Sequence, residues 1–372
     1  MLVDSMTAST FRWNGSCLGT ESTLHQIGPY VGKMKSTMAS ALIADASSVG
    51  ETIFDPFVGS GTIALESFIN GRNIICCDTN PYAILLTKAK LFPPNNLNEA
   101  LSLAEYYLEA AKADSQTLDL SHIPEWVAAF FHPETLMEIA ALARILKENE
   151  ENFLLACLLG ILHHQRPGFL SYPASHAVPY LRSKAFPKEE YPQLYNYRQV
   201  KPRLLEKIRR TYRRFPKMDQ KLRRECYLQD ATKLRLQKES IDAVVTSPPY
   251  MNALDYVRDN RLRLWFLDYR NELALQKGES MNLIKFQRLM RDCLFSIHEA
   301  LRPGKKCIFV TGELSNSRSA VNTATVVINA SREVGGFELD RVIEDCVPKD
   351  RRIRRSSCRV KREWIVVLRK EI

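Results

Sequence analysis

The stretch that decides the fold is 51-ETIFDPFVGSGTIALESFINGRNIICCD-78. It begins with an apolar strand pattern and continues through the glycine-rich turn 58-VGSGT-62 into a helical pattern, 63-IALESFIN-70. Gly71 is typical of a helix C-terminus, and a second apolar segment, 73-NIICCD-78, follows it. Strand, turn, helix and strand in this order predict the start of a parallel α/β sheet with a right-handed crossover.

The sheet pattern returns in the last third of the chain. Apolar segments predict three more strands and a closing pair, at 226-CYLQDA-231, 241-IDAVVTS-247, 306-KCIFVTGE-313, 337-FELDRVIED-345 and 363-EWIVVLRK-370. Residues 97–225 have a different character, because amphipathic helical patterns dominate there, and 201–225 carries 11 Lys and Arg against 3 acids. We therefore expect one sheet domain, residues 1–96 and 226–372, interrupted by a mostly helical, basic insertion at 97–225.

Composition limits the class of protein. The chain has 372 residues, 45% of them hydrophobic, which is enough for a large α/β core. Its net charge of +10 favours an anionic partner, nucleic acid first, although a solvated basic surface would give the same number. The nine cysteines form no CxxC pair and no zinc-type cluster, so we predict reduced thiols and no metal site. With neither a secretory signal nor a long apolar run, we predict a cytoplasmic, nucleoid-associated protein without membrane contact.

Two acids support a cofactor role for the glycine turn. A GxG turn between a strand and a helix lets a ligand approach the backbone closely, yet it can equally be a plain structural turn. Asp78 ends the next strand, where a carboxylate can accept both hydroxyls of a ribose. Asp230 ends a further predicted strand and can accept from an adenine amino group. The third glycine of the dinucleotide pattern is missing, which favours a smaller nucleoside such as S-adenosylmethionine over a nicotinamide cofactor.

Two motifs together resemble those of a known enzyme family. The segments 54-FDPFVGSGT-62 and 246-TSPPY-250 are similar to the cofactor and catalytic motifs of amino-methyltransferases, which use S-adenosylmethionine to methylate exocyclic amines of DNA bases. The stretch 25-HQIGPYVGKMKS-36 resembles the segment that precedes the cofactor loop in that family. The resemblance covers most of 25–90 and 226–370. It implies an α/β fold with a Rossmann-like methyltransferase sheet, mostly parallel with an antiparallel closing strand, and a helical insertion.

The resemblance also implies a set of site residues. The cofactor would contact Tyr30, Lys33, Asp55, Pro56, Phe57, Gly59, Ser60, Gly61, Thr62, Asp78, Thr79, Asp230, Ala231 and Thr246. The target base would meet Ser247, Pro248, Pro249 and Tyr250. A plain Pro-Pro loop after a strand is the alternative for the second set, and the cofactor motif disfavours it.

The Ser-Pro-Pro-Tyr corner suits chemistry at an exocyclic amine. The Ser247 hydroxyl and the Pro248 carbonyl can accept hydrogen bonds from the two N–H groups, and the prolines hold these acceptors rigidly. The ring of Tyr250 can stack on a base that has left the duplex. Methylation at a cytosine ring carbon needs a nucleophilic cysteine after a proline, and the chain has no Pro-Cys pair. Serine at the first motif position favours cytosine N4 in this family, with adenine N6, or an exocyclic amine in RNA, as alternatives.

Two basic clusters are candidates for holding DNA. The first contains Arg209, Arg210, Arg213 and Arg214, and the second contains Arg351, Arg352, Arg354 and Arg355. A charge run is as often a solvated face, but in a base-modifying enzyme both clusters would neutralise phosphates. Double-stranded DNA is the predicted partner, a cognate restriction endonuclease is a further one, and the insertion 97–225 is the candidate for target recognition.

Overall fold

The computed structural model describes residues 20–115, 119–164, 166, 168–176, 178–250, 255–269, 281–316, 319–346 and 360–372. The helices within these ranges are α1 (Ser36–Ala46), α2 (Thr62–Ile69), α3 (Pro81–Leu91), α4 (Leu97–Ser115), α5 (Glu125–Ala128), α6 (Pro133–Glu148), α7 (Asn152–Gly160), α8 (Val200–Thr211), α9 (Tyr256–Phe266), α10 (Leu283–Ala300) and α11 (Thr323–Val334). The strands are β1 (Thr52–Asp55), β2 (Asn73–Asp78), β3 (Arg224–Leu228), β4 (Ile241–Thr246), β5 (Leu301–Asn316), β6 (Ser319–Asn322), β7 (Phe337–Cys346) and β8 (Val360–Lys370).

The strands form one mixed sheet in the order β3-β2-β1-β4-β5-β8-β7, with β6 paired to β5. Neighbours from β3 to β5 run parallel. The strand β8 is antiparallel to both β5 and β7. The predicted fold class, a mostly parallel Rossmann-like sheet that closes with antiparallel strands, is confirmed.

Helices cover both faces of the sheet because its central strands are apolar on both sides. Successive residues of a strand point to opposite faces, and β1 shows this directly. Ile53 packs in a cluster with residues of α1 and α2. Phe54 packs in a second cluster with residues of α10 and α11. Within the described ranges, no helix is both long enough and apolar enough to cross a membrane.

The helices of the predicted insertion share a core with the sheet domain. Leu142 of α6, Leu158 of α7 and Leu204 of α8 belong to the same apolar cluster as Leu86 of α3 and Leu264 of α9. The division of the chain into a sheet domain and an insertion remains a prediction, and this shared core describes only how the helices pack.

The basic stretch 201–225 is helical in its first half only. The helix α8 ends at Thr211, and Tyr212 then stacks on Phe215 with ring centroids 4.5 Å apart. Pro216 cannot continue a helix, because it lacks the N–H donor. The strand β3 follows and ends at Leu228, so Asp230 lies two residues beyond the strand in a turn rather than at the strand end predicted for it.

The parallel arrangement brings three polar strand ends to one edge of the sheet. Asp78 is the last residue of β2, Asp55 of β1 and Thr246 of β4, and these strands are neighbours. The carboxyl edge of an open α/β sheet is where such folds bind their ligands, at the point where the strand order reverses. Here the order reverses at β1 and β4, so the glycine turn and the Ser-Pro-Pro-Tyr corner meet at this edge.

Candidate active site

A cavity of about 950 Å³ lies at this edge and contains both motifs in its wall. Most of the residues predicted for the site line it: Tyr30, Lys33, Asp55, Pro56, Phe57, Gly59, Ser60, Thr62, Asp78, Thr79, Asp230, Ala231, Ser247, Pro249 and Tyr250. Three predicted residues, Gly61, Thr246 and Pro248, do not line the cavity that the described residues enclose. Gly61 and Thr246 have supporting contacts given below, and Pro248 is buried.

The glycine turn has a backbone that only glycine adopts readily. Gly59 and Gly61 have φ values of 50° and 74°, in the left-handed region. A Cβ on Gly61 would lie 2.6 Å from the Thr87 hydroxyl of α3, so this position also needs a residue without a side chain. Lys90 of α3, which is 1% exposed, donates a hydrogen bond to the carbonyl of Ser60, and burial lowers its pKa to about 7. Residues of α3 therefore stabilise the backbone of the glycine turn.

Asp78 is fixed against the same turn. Its Oδ2 accepts a hydrogen bond of 2.9 Å from the backbone N–H of Gly59, and its Oδ1 accepts one of 2.9 Å from that of Asn80. Burial raises the pKa of Asp78, and the backbone hydrogen bonds oppose this rise. A carboxylate has about four acceptor positions, so lone pairs remain for two hydroxyls of a ligand.

Asp55 connects the ends of β1 and β4. Its Oδ1 accepts a hydrogen bond of 2.6 Å from the hydroxyl of Thr246 and one of 3.3 Å from the N–H of Phe57. Its Oδ2 is buried and has no hydrogen-bond partner among the described residues. Because the side chain is only 1% exposed, burial raises the pKa of Asp55 to about 7. Thr246 thus positions the cavity wall without lining it.

The Ser-Pro-Pro-Tyr corner is anchored to the neighbouring strands. Ser247 Oγ donates a hydrogen bond of 3.1 Å to the carbonyl of Val310 on β5. A hydroxyl has one proton, so its lone pairs remain available to accept a hydrogen bond from a ligand. The Tyr250 hydroxyl donates a hydrogen bond of 2.9 Å to Oε1 of Glu363 on β8. Burial and the Glu363 carboxylate raise the pKa of Tyr250.

Aromatic rings cover one side of the cavity. Tyr30 stacks on Tyr256 of α9 with ring centroids 5.9 Å apart, and on Tyr82 of α3 at 6.3 Å. A Cβ on Gly59 would lie 3.5 Å from the Tyr30 ring, so this ring lies against the glycine turn. Tyr30 and Tyr256 line the cavity, whereas the buried Tyr82 packs against Tyr30 only from the side of α3.

Part of the cavity wall is formed by residues that lie outside the sequence motifs. Side chains from α9, from the positions that follow α9 or precede α10, and from α10 itself also line the cavity: Tyr256, Val257, Leu264, Tyr269, Met281, Lys285 and Leu289. An aromatic residue six positions after Tyr250 was the available signal for Tyr256. For the α10 residues we find no motif, because they reach the cavity only through packing of that helix on the sheet.

The first basic cluster lies at the end of α8. Arg209, Arg210 and Arg213 are exposed, and Glu206 lies 3.8 Å from Arg210 and 3.7 Å from Arg213. Arg214 donates a hydrogen bond of 2.8 Å to the carbonyl of Glu21. None of these arginines lines the cavity in the described part of the chain. The second cluster, Arg351, Arg352, Arg354 and Arg355, lies outside the described residues.

The described cysteines form no disulfide and belong to no metal-binding group. Cys76, Cys77, Cys157, Cys226, Cys293 and Cys307 are free thiols. Across the described residues, no group of three or more His, Cys, Asp or Glu side chains is placed to hold a metal ion.

Comparisons with known proteins point to one family. Residues 12–89 match the model of the N6- and N4-methyltransferase family described as DNA methylase. The Type II methyltransferase M.MvaI of Kocuria varians is 28% identical over 148 residues, which cover 36% of this chain and 32% of the relative. The Type II methyltransferase M.MjaII of Methanocaldococcus jannaschii is 35% identical over 68 residues, covering 18% of this chain and 13% of the relative. The chain therefore spans less than a third of the length of either relative.

Among solved structures, the rRNA methyltransferase aviRa of Streptomyces viridochromogenes matches 98% of this chain and 96% of its own chain. The sequence identity is 13% and the TM-score is 0.36. A superposition this loose assigns neither fold nor function, and the strand order given above defines the fold.

Proposed function

We propose that the chain is an S-adenosylmethionine-dependent DNA amino-methyltransferase, as the family match over residues 12–89 indicates, and that it methylates the exocyclic N4 amine of cytosine in double-stranded DNA. One observation carries the proposal: Gly59 and Ser247 line the same cavity, at the ends of adjacent parallel strands. A cofactor turn and an amine-binding corner must share a cavity for direct transfer, because the two reacting groups have to meet in line.

The residues present fit S-adenosylmethionine. The glycine turn leaves room for close approach of the nucleoside, and Asp78 offers acceptors for the two ribose hydroxyls. Asp230 accepts hydrogen bonds from the backbone N–H and the hydroxyl of Thr232 through Oδ1, and with Ala231 it lines the cavity where the adenine would lie. Asp55, with a buried oxygen that lacks a partner, lies in the same wall. When bound, the cofactor supplies an electrophilic methyl group on its sulfonium.

The corner supplies what the amine needs. An exocyclic amine is a weak nucleophile because its lone pair is delocalised into the ring. Ser247, whose proton goes to Val310, presents its oxygen as an acceptor for one amine N–H and so favours a more tetrahedral nitrogen. The Pro248 carbonyl remains the proposed acceptor for the second amine N–H, although Pro248 itself is buried and does not line the cavity among the described residues.

Tyr250 gives the base a surface on which to stack. A base must leave the duplex to reach a cavity at the sheet edge, and stacking on an aromatic ring recovers about 1–3 kcal/mol of the cost. Tyr250 lines the cavity next to Pro249, and its hydroxyl is held by Glu363, so the ring is fixed before the base arrives. The exposed arginines at the end of α8 would neutralise phosphates of the duplex.

The choice of cytosine rests on Ser247 standing first in the motif, which is the family pattern for N4. Adenine N6 in DNA is the alternative, and an amine in RNA is a further one that the basic helix α8 would also suit. A cognate restriction endonuclease remains a proposed partner.

The product nucleoside tests this proposal. The protein is incubated with tritiated S-adenosylmethionine and unmethylated genomic DNA, and the DNA is digested to nucleosides and separated by chromatography. We expect label in N4-methyldeoxycytidine. Label in N6-methyldeoxyadenosine would overturn the assignment to cytosine. Label in RNA only, in a parallel reaction with total RNA, would overturn the assignment to DNA.

A further inference from the structure

A partly buried carboxylate on β8 contacts the corner from outside the cavity. Glu363 accepts a hydrogen bond of 2.9 Å from the Tyr250 hydroxyl. It is not among the described residues that line the cavity, so it reaches a ligand only through Tyr250. We propose that Glu363 is a positioning residue for methyl transfer, which fixes the ring of Tyr250 in the orientation that stacks on the target base. This inference rests on the proposed function.

This contact crosses one intervening strand of the sheet. The corner follows β4, whereas Glu363 is on β8, and β5 runs between these strands. The residue of β5 directly opposite Glu363 in the antiparallel register is Gly312. Glycine has no side chain. No side chain of residue 312 therefore lies between the tyrosine hydroxyl and the carboxylate. A larger residue at 312 would place a side chain beside this contact.

The corner is thus anchored to β5 and β8 by two hydrogen bonds. Ser247 is held by the Val310 carbonyl and Tyr250 by Glu363, two strands away from β4. The prolines between them restrict the backbone, and the two side-chain bonds restrict the rotamers at either end. A ring held in place before binding loses less conformational freedom when the base stacks on it.

The surroundings of Glu363 explain why it needs this donor. Burial raises the pKa of Glu363, and the neighbouring carboxylate of Asp345 on β7 raises it further, whereas the hydrogen bond from Tyr250 and the charge of Lys35 lower it. Asp345 is the residue opposite Glu363 in the register of β7 and β8. A carboxylate that has lost part of its contact with water gains from a hydrogen-bond donor, so the Tyr250 hydroxyl and Glu363 stabilise each other.

Kinetics test the positioning role. Glu363→Leu removes the acceptor, Glu363→Gln keeps an acceptor oxygen on a side chain of equal length, and Tyr250→Phe removes the donor but keeps the ring. We expect Glu363→Leu and Tyr250→Phe each to lower kcat for methyl transfer to DNA about tenfold, and Glu363→Gln to restore most of this loss. The dissociation constant for S-adenosylmethionine should stay within about twofold, because the contact lies on the base side of the cavity. Glu338→Leu, an exposed carboxylate on β7, is the matched control and should transfer methyl groups normally.

A second measurement needs no methyl transfer. Thermal unfolding of the two single variants and of Tyr250→Phe combined with Glu363→Leu gives a double-mutant cycle. We expect the double variant to lose no more stability than the worse single variant. Additive losses would overturn the contact itself. Coupled losses with an unchanged kcat in Glu363→Leu would overturn the positioning role. Coupled losses in a wild-type protein that methylates no DNA would contradict the proposed function and leave the contact in place.

Discussion

The hydroxyl of Thr246 donates a hydrogen bond of 2.6 Å to the carboxylate of Asp55, and this single contact joins the two halves of the candidate site. Asp55 opens the cofactor motif at the end of β1, and Thr246 opens the catalytic motif at the end of β4. About 190 residues of chain separate them, yet the parallel pairing of β1 with β4 makes them neighbours. The relative placement of cofactor and target base is therefore set by the sheet.

Asp78 provides a direct test of the cofactor assignment. Asp78→Ala removes the acceptors proposed for the ribose hydroxyls and also frees the N–H of Gly59. We expect the affinity for S-adenosylmethionine, measured by calorimetry, to fall roughly 10- to 100-fold, as for the loss of hydrogen bonds to a charged group. Asp119→Ala, an exposed acid outside the cavity wall, should bind the cofactor normally. Equal affinity in the wild type and Asp78→Ala would disprove the ribose assignment.

Gly61 tests the support of the turn by α3. Gly61→Ala puts a Cβ 2.6 Å from the Thr87 hydroxyl in a backbone with positive φ. We expect the free energy of unfolding in urea to fall by about 1–2 kcal/mol from strain and by a further 1–3 kcal/mol or so from the clash. Gly50→Ala is the matched control, because Gly50 also has positive φ but has no atom near its added Cβ, so only the strain should be seen. Equal losses in both variants would argue against the clash.

Asp55 predicts a pH dependence of stability. Its pKa in the folded protein is about 7, above the ordinary value of 3.8, so the folded state binds the proton more tightly than the unfolded state. Stability from this group is present below pH 3.8 and is lost as the pH rises to about 7. Asp55→Asn keeps the shape without the titration, and its free energy of unfolding relative to the wild type should rise between pH 5 and pH 8, by about a few kcal/mol at most. A difference that does not change with pH would contradict the shift.

The arginines at the end of α8 predict salt-dependent DNA binding. Changing Arg209, Arg210 and Arg213 together to glutamine should weaken binding and make it less sensitive to salt. Each phosphate contact that is lost should lower the slope of log affinity against log salt by about 0.9. Binding is measured by fluorescence anisotropy over a salt series. Lys238 is an exposed cation just before the start of β4, at the end of that strand away from the cavity. The variant Lys238→Gln should keep the wild-type slope. An unchanged slope in the triple variant would assign these arginines to a solvated face.

Local sequence was sufficient to predict the first elements of the sheet and both motifs. The helix α2 and the strand β2 lie within one residue of where the hydrophobic pattern puts them, because these elements have apolar periodicity and clear boundaries. The glycine turn can also be predicted from the sequence, since glycine is the residue that readily adopts its positive φ values. The meeting of the two motifs could be expected because parallel strands share a carboxyl edge.

Other features depend on packing that no local pattern encodes. The helix α11 has a sequence rich in Thr and Val, TATVVINASREV, which by itself suggests a strand, but its capping by Asn322 and its packing on the sheet make it a helix. The α10 part of the cavity wall arises in the same way from tertiary packing. Glu363 is a further case, since its partner is 113 residues away in sequence.

The measurement that tests the account most directly is a single turnover in the Ser247→Ala variant. The protein is loaded with tritiated S-adenosylmethionine, mixed with excess unmethylated DNA, and the rate of label transfer is followed. We predict cofactor affinity equal to that of the wild type and a transfer rate at least about tenfold slower, because an acceptor aimed at the amine has been removed. Ser240→Ala, at the opposite end of β4, should transfer at the wild-type rate. A Ser247→Ala variant that is folded, binds the cofactor and transfers its methyl group at full rate would contradict the claim that this corner is the active site.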